Sequence, residues 1–90
     1  QTIRGHLMEF GSDDPIDLGL IIMISEYGDS IASTLSASNG FFELSAPVEG
    51  NYLLLAAALG YTESRVGLFE LGQDGEISVE FRLWPQPLEL

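Results

Sequence analysis

The sequence predicts an all-β sandwich of seven short strands, and three observations carry that prediction. Polar and apolar residues alternate at period two through most of the chain. Turn-forming residues interrupt the alternation at roughly 8–12-residue spacing, the rhythm of a two-sheet sandwich. No segment combines a sustained 3.6-residue apolar stripe with helix caps.

The clearest strand is Glu76-Ile77-Ser78-Val79-Glu80-Phe81-Arg82-Leu83, where four polar side chains alternate with four apolar ones. The same reasoning places strands at 2–10, 19–27, 30–36, 40–46, 51–59, 64–71 and 76–84. Ser12-Asp13-Asp14-Pro15 opens the first loop and Tyr27-Gly28-Asp29-Ser30 makes the next turn. Asn39-Gly40 and Asp74-Gly75 are hairpin dipeptides that tolerate positive φ. Glu49-Gly50-Asn51 and Gly60 supply two further breaks. Leu53–Leu59 has the composition of a helical turn, but its length and its entry through Tyr52 after a glycine favour a strand. Trp84-Pro85-Gln86-Pro87 carries two prolines that cannot donate to a ladder, so the domain is placed at 1–84 and an exit linker to a following domain at 85–90. Alternation phased on the Gly50-x-Tyr52-x-Leu54 run and on the 76–83 strand gives an expected core of Ile3, Leu7, Ile21, Met23, Phe42, Leu44, Tyr52, Leu54, Ala56, Ile77, Val79, Phe81 and Leu83.

Composition narrows the chemistry. Ninety residues hold 14 acids against three cations, a net charge of −11, and all three cations are arginine. That balance excludes a phosphate-binding surface and with it nucleic acid and anionic membranes as partners. Without cysteine there is no disulfide, thiolate zinc site or thiol nucleophile, and without lysine no Schiff base or Lys–Asn crosslink. The longest apolar runs, 18–24 and 53–59, are each far shorter than the ~20 residues of a membrane-spanning helix. A start at Gln1, directly before a strand, suits a mature end left by signal cleavage as well as any other boundary.

Asn39-Gly40-Phe41-Phe42-Glu43-Leu44, then Ala46-Pro47-Val48-Glu49-Gly50-Asn51-Tyr52-Leu53-Leu54, then Gly60-Tyr61 resembles the carboxypeptidase regulatory-like domain. That family runs G-x-F-x-L, then P-x-x-G-x-Y-x-L, then G-Y. Ile3-Arg4-Gly5 and Pro15-Ile16 are similar to its usual start, so the resemblance covers about residues 2–84. Two positions depart from it: Ala37 stands where an acid is frequent, and Leu18 where glycine is frequent. The resemblance implies a transthyretin-like (prealbumin-like) Greek-key sandwich of Ig-like topology. It also implies a non-catalytic, cofactor-free accessory role in an exported bacterial protein, beside a metallocarboxypeptidase domain, ahead of the plug of a TonB-dependent receptor, or at the start of another exported chain. The expected location is accordingly periplasmic, outer-membrane-associated or secreted. Tyr52 would place its ring in the core while its hydroxyl reaches backbone, and Phe42 and Leu44 would face inward beyond the Gly40 turn.

Chemical sites are few. His6 falls on an outward position of the first strand and has no evident partner for metal or acid–base work. Asp13, Asp14 and Asp17 bunch in one loop, yet their spacing fits no calcium-binding loop. Ser36, Ser38 and Ser45 lack a nucleophile-elbow setting and a base. The enzymes known on this broad fold need residues that the chain lacks. An intradiol iron site takes two histidines, and the ureide hydrolases take several His and Arg. No catalytic, cofactor-binding or metal-ligating residue is therefore assigned, and no enzyme is expected.

One surface is unusual. With Ile21 and Met23 inward, Leu20, Ile22 and Ile24 face out; with Tyr52, Leu54 and Ala56 inward, Leu53, Leu55 and Ala57 face out. The second and fifth strands are expected to be sheet neighbours, with the fourth strand flanking the fifth and adding Phe41. Those seven side chains would form an apolar interaction surface for a neighbouring domain of the same protein or for a second copy in a homodimer. Alternatively, the 13–18 loop or the Trp84 tail covers it. The competing function is a carbohydrate-binding module, for which Trp84 with Tyr61 would supply the aromatic platform.

Overall fold

The computed structural model describes residues 1–86. Alternation becomes seven strands: β1 (Thr2–Glu9), β2 (Leu20–Ser25), β3 (Ser30–Leu35), β4 (Phe41–Ser45), β5 (Gly50–Ala57), β6 (Ser64–Leu71) and β7 (Glu76–Leu83). Their ends lie within two residues of the expected ones. They form two sheets, β4-β1-β7 and β3-β2-β5-β6. β1 and β7 run parallel and every other pairing is antiparallel; β2–β3 and β5–β6 are neighbours in one sheet, and the other four connections cross between the sheets. No helix among the described residues is long and apolar enough to cross a membrane.

Side chains at odd positions of β1 and β7 and even positions of β4 and β5 meet between the sheets. Ile3, Leu7, Ile21, Met23, Phe42, Leu44, Tyr52, Leu54, Ala56, Phe81 and Leu83 are buried there, as the phase predicts. Ile77 and Val79 pack against this core but are only partly buried, because β7 is an edge strand with a neighbour on one side alone. Ile16, Ala46 and Leu71 are buried as well. Ile16 lies in a loop, where alternation carries no information, whereas Ala46 continues the inward phase of Phe42 and Leu44 one residue past β4. The Tyr52 hydroxyl donates to the Val48 carbonyl at 2.7 Å, so the ring is buried without stranding its polar end.

Two expectations need correction. β4 does not flank β5. It pairs with β1, from Thr2↔Ser45 to His6↔Phe41, and β6 takes the place beside β5. The cause is the connection after β3, which is a corner between sheets and not a hairpin. The Gly40 N–H donates to the Ala37 carbonyl, while the Gly40 carbonyl accepts from the Leu7 N–H and delivers the chain to β1. Gly40 has φ +84° and lies against the Leu7 backbone, so any side chain here would be both strained and obstructed. Phe41 consequently lies on the opposite outer surface. The chain also stays attached beyond residue 84: Pro85 bridges Tyr61, the Thr62 N–H donates to the Trp84 carbonyl and the Gln86 N–H to the Gly60 carbonyl. Pro85 occupies a rung that asks for no N–H, which is why a proline is accepted there. Residues 87–90 of the expected linker lie outside the described residues.

Candidate interaction surface

The outward rungs of the four-stranded sheet follow from its register. Leu20 stands between Leu35 of β3 and Ala57 of β5, Ile22 between Ser33 and Leu55, and Ile24 beside Leu53. Leu20 and Leu35 are exposed, whereas Ile22, Ile24, Leu53, Leu55 and Ala57 are half-buried by one another. These strands contribute no charge to the face, and the nearest cation in register is Arg65 of β6, opposite Leu55. Neither segment expected to cover the face does so. The 13–18 loop is tied to the other sheet, through the Met8↔Pro15 bridge and through Arg82 Nε to Asp13 Oδ1 at 2.9 Å, and Ile16 enters the core. Trp84 stacks on Phe10 with ring centroids 3.9 Å apart. Of the seven expected surface residues, six therefore share one face, and Phe41 is absent from it.

The three-stranded sheet presents the contrary surface. Arg4 lies 3.0 Å from Glu76 and 3.4 Å from Glu43, and Arg82 lies 3.1 Å from Glu80 in addition to its bond with Asp13. The two hydrogen-bonded carboxylates hold the Arg82 guanidinium more firmly protonated than usual. His6 is exposed on this face, its ring edge-on to Phe41 at 5.7 Å.

The remaining sequence candidates resolve into local roles. Asp13, Asp14 and Asp17 do not converge: among the described residues no three His, Cys, Asp or Glu side chains are grouped as a metal site. Ser36, one of the serines weighed as a nucleophile, is buried and structural. Its hydroxyl donates to the Ile16 carbonyl at 2.6 Å and accepts the Gly19 N–H at 2.9 Å, pinning the loop into β2. A buried serine two strands away from a Pro-Ile loop gives no sequence signal of that pairing. The Tyr61–Trp84 platform does not form. Parallel pairing sets Glu9 beside Leu83, so the next outward residues, Phe10 and Trp84, are the ones that stack. Tyr61 instead donates its hydroxyl to Glu9 at 3.2 Å, and burial, then the Glu9 charge, raises its phenol pKa.

No known family profile matches the chain, and no curated protein matches it. Solved structures do. The group B streptococcus pilus 2b backbone protein superposes with a TM-score of 0.72 at 12% identity, over 94% of this chain and 41% of that one. Klebsiella pneumoniae 5-hydroxyisourate hydrolase gives 0.71 at 18% identity, over 97% and 87%. The chain has a transthyretin-like sandwich fold. A chain of the type II cohesin–X-dockerin complex from Acetivibrio cellulolyticus shares the sandwich at TM-score 0.69 and 16% identity, over 94% and 58%. The transthyretin-like unit thus spans less than two thirds of the pilus and cohesin-complex chains, and at these identities the likeness is one of fold.

Proposed function

We propose that this sandwich is a non-catalytic accessory domain of the carboxypeptidase regulatory-like kind, within a larger exported bacterial protein. Its task is to dock an adjoining domain of the same polypeptide on the outer face of the four-stranded sheet. One observation carries the reading: in a chain of net charge −11, the outward positions Leu20, Ile22, Ile24, Leu53, Leu55 and Ala57 are all apolar. An antiparallel sheet facing water ordinarily alternates apolar-in with polar-out, so a second apolar face calls for a second cover.

The size of the patch favours a neighbour in cis. A stable interface between free proteins takes about 20–30 residues a side, and six side chains fall well short of that. A tethered domain is held at an effective concentration of the order of millimolar, so a small apolar contact suffices. Two copies would also bring together two bodies of −11 each, a repulsion that works against a homodimer.

The test is to melt the full polypeptide with and without Ile22→Glu plus Leu53→Glu. Coupled unfolding of the sandwich and its neighbour, split into two transitions by the double variant, is the expected result. Independent melting in the wild type would overturn the reading. Concentration-dependent self-association of the 90-residue chain, abolished by the same variant, would overturn the choice of a neighbour in favour of a second copy.

A further inference from the structure

Four strands end a sheet, and three of them are guarded by charge. β4 carries Glu43, β6 carries Arg65 and Glu70, and β7 carries Glu76, Glu80 and Arg82. β3, Ser30-Ile31-Ala32-Ser33-Thr34-Leu35, has no charge, no proline and no glycine. Its only guard is a bulge at its start, where the register slips between Met23 and Ile24. Charges, prolines and bulges are the devices that keep a sheet edge from pairing with another chain, and from Ala32 to Leu35 this edge has none.

The backbone groups on offer can be named. The Ser36 N–H donates to Gly19 and the Ser36 carbonyl accepts from Leu18, so Ser36 points both groups toward β2. In an antiparallel ladder successive residues alternate, which turns the N–H and C=O of Leu35 and Ser33 outward. At the Ser30 end the edge runs into a hollow lined by Glu26, Tyr27, Asp29, Ile31, Val48 and Glu49. Tyr27 is 83% and Val48 61% exposed. Among the described residues the ion pairs are all made by Arg4 and Arg82, so the three carboxylates of this hollow have no cation.

We propose that the β3 edge binds an extended, basic-ended segment of a partner protein by strand addition. Its backbone pairs antiparallel with Ser33 and Leu35, and a Lys or Arg just beyond the paired stretch enters the hollow of Glu26, Asp29 and Glu49. Charge complementarity selects this occupant over a second copy, which would bring 14 acids and three arginines to the same place. Main-chain hydrogen bonds supply the attachment and the acidic hollow, with the Tyr27 ring beside it, supplies direction and selectivity. Apolar residues on the segment's outer side would extend the row made by Leu20 and Leu35. The site goes beyond the docking face and stands or falls separately from it.

The experiment titrates the 90-residue chain with a fluorescent probe peptide, Val-Thr-Val-Thr-Val-Lys-Arg, by anisotropy and by amide-shift mapping. Saturable micromolar binding with shifts at Ala32–Leu35 and around Asp29 is expected. N-methylating alternate backbone nitrogens of the probe should weaken binding at least about tenfold without touching the protein. Replacing its Lys-Arg by Glu-Glu should do the same, as should Asp29→Asn with Glu49→Gln. Ser33→Pro, whose lost N–H points away from β2, should abolish binding while the fold persists. Ile22→Glu with Leu53→Glu should leave it unchanged, which separates this edge from the docking face. No saturable binding, equal binding of the acidic or N-methylated probe, or shifts confined to other edges would overturn the proposal. Self-association of the chain through β3, trapped as a disulfide by Ser33→Cys in a protein without other cysteines, would overturn the chosen occupant.

Discussion

On the three-stranded sheet, the outward positions of β1, β4 and β7 hold the charged Arg4, Glu43, Glu76, Glu80 and Arg82 among polar neighbours, with Met8 and Phe41 the apolar exceptions. On the four-stranded sheet, the outward positions of β2 and β5 hold six apolar side chains and, at the end of β5, Asn51. Both sheets bury their other face against the same core, so core packing cannot explain the difference. The charged face matches what water asks of a half-buried sheet. Its ion pairs join side chains that are roughly half exposed, and such pairs contribute about 0–1 kcal/mol each. The apolar face has the pattern of a strand buried on both sides, though only one side is covered. Under the docking we propose, what differs between the faces is the surroundings each sequence anticipates.

The largest expected effects set inside against outside on a single strand. Phe42→Ala on β4 should cost about 3–5 kcal/mol, since the ring is buried and the cavity refills only in part. Phe41→Ala, one residue away and 38% exposed on the charged face, should cost less than about 1 kcal/mol. Urea unfolding of the two variants reads the difference directly. Equal costs would mean that the charged face is itself a packed interior.

How much of this was legible follows from which physical rule each residue obeys. Phe81 sits in clean alternation, Tyr52 and Leu54 take their phase from the Gly-x-Tyr-x-Leu run, Phe42 and Leu44 from the turn at Gly40, and all five lie inside. Leu53 and Leu55 became outward by the same rule, so most of the apolar outer face was readable too. Phe41 was misplaced because alternation says which way a side chain points and nothing about which strand lies next door. That choice belongs to the corner at Ala37–Gly40, whose hydrogen bonds to β1 have no periodic signature. Ile16 was missed because loop residues enter a core without a period, whereas Ala46 follows the period of Phe42 and Leu44 at the end of the expected strand. The free edge of β3 was invisible until its place in the sheet was known.

Next in size is the joint between the two sheets. Ser36 ends β3 and holds Ile16 and Gly19 just before the chain crosses to β4. Ser36→Ala leaves a buried N–H and a buried carbonyl without their partner, at about 1–3 kcal/mol. Ser45→Ala, exposed on the charged sheet, should change stability by less than about 0.5 kcal/mol. A small loss at Ser36 would show that the loop is held by Ile16 packing alone.

A gain of stability is expected at Leu18. This residue has φ +58°, and it stands where glycine is frequent in the family the sequence resembles. A side chain in the left-handed region costs about 1–2 kcal/mol, and glycine loses part of that advantage through its freer unfolded chain. Leu18→Gly should therefore stabilise the fold by about 0.5–1 kcal/mol in urea titrations. The side chain is 68% exposed, so little packing is lost in exchange. Destabilisation instead would mean that Leu18 extends the apolar row of the docking face and packs there.

The smallest effect sharpens the comparison of the faces through salt. Two opposing terms act in this chain. Screening weakens the pairs of Arg4 and Arg82 on the charged face, and it also relieves repulsion among 14 acids with a net charge of −11. The repulsion involves many more charges, and the pairs are solvent-exposed, so the melting midpoint should rise with added NaCl. Arg4→Gln with Arg82→Gln removes the attractive term and raises the net charge to −13, because two of the three arginines are gone. Its loss is largest at low salt and shrinks as salt is added, so its midpoint climbs more steeply than that of the wild type. Substituting Ile22→Thr on the apolar face changes no charge and should leave the salt slope untouched. Thermal melts of the three proteins across an ionic-strength series make the check. A wild-type midpoint that falls with salt would show that the ion pairs of the three-stranded sheet outweigh the repulsion, and that the charged face holds the sandwich together as well as meeting water.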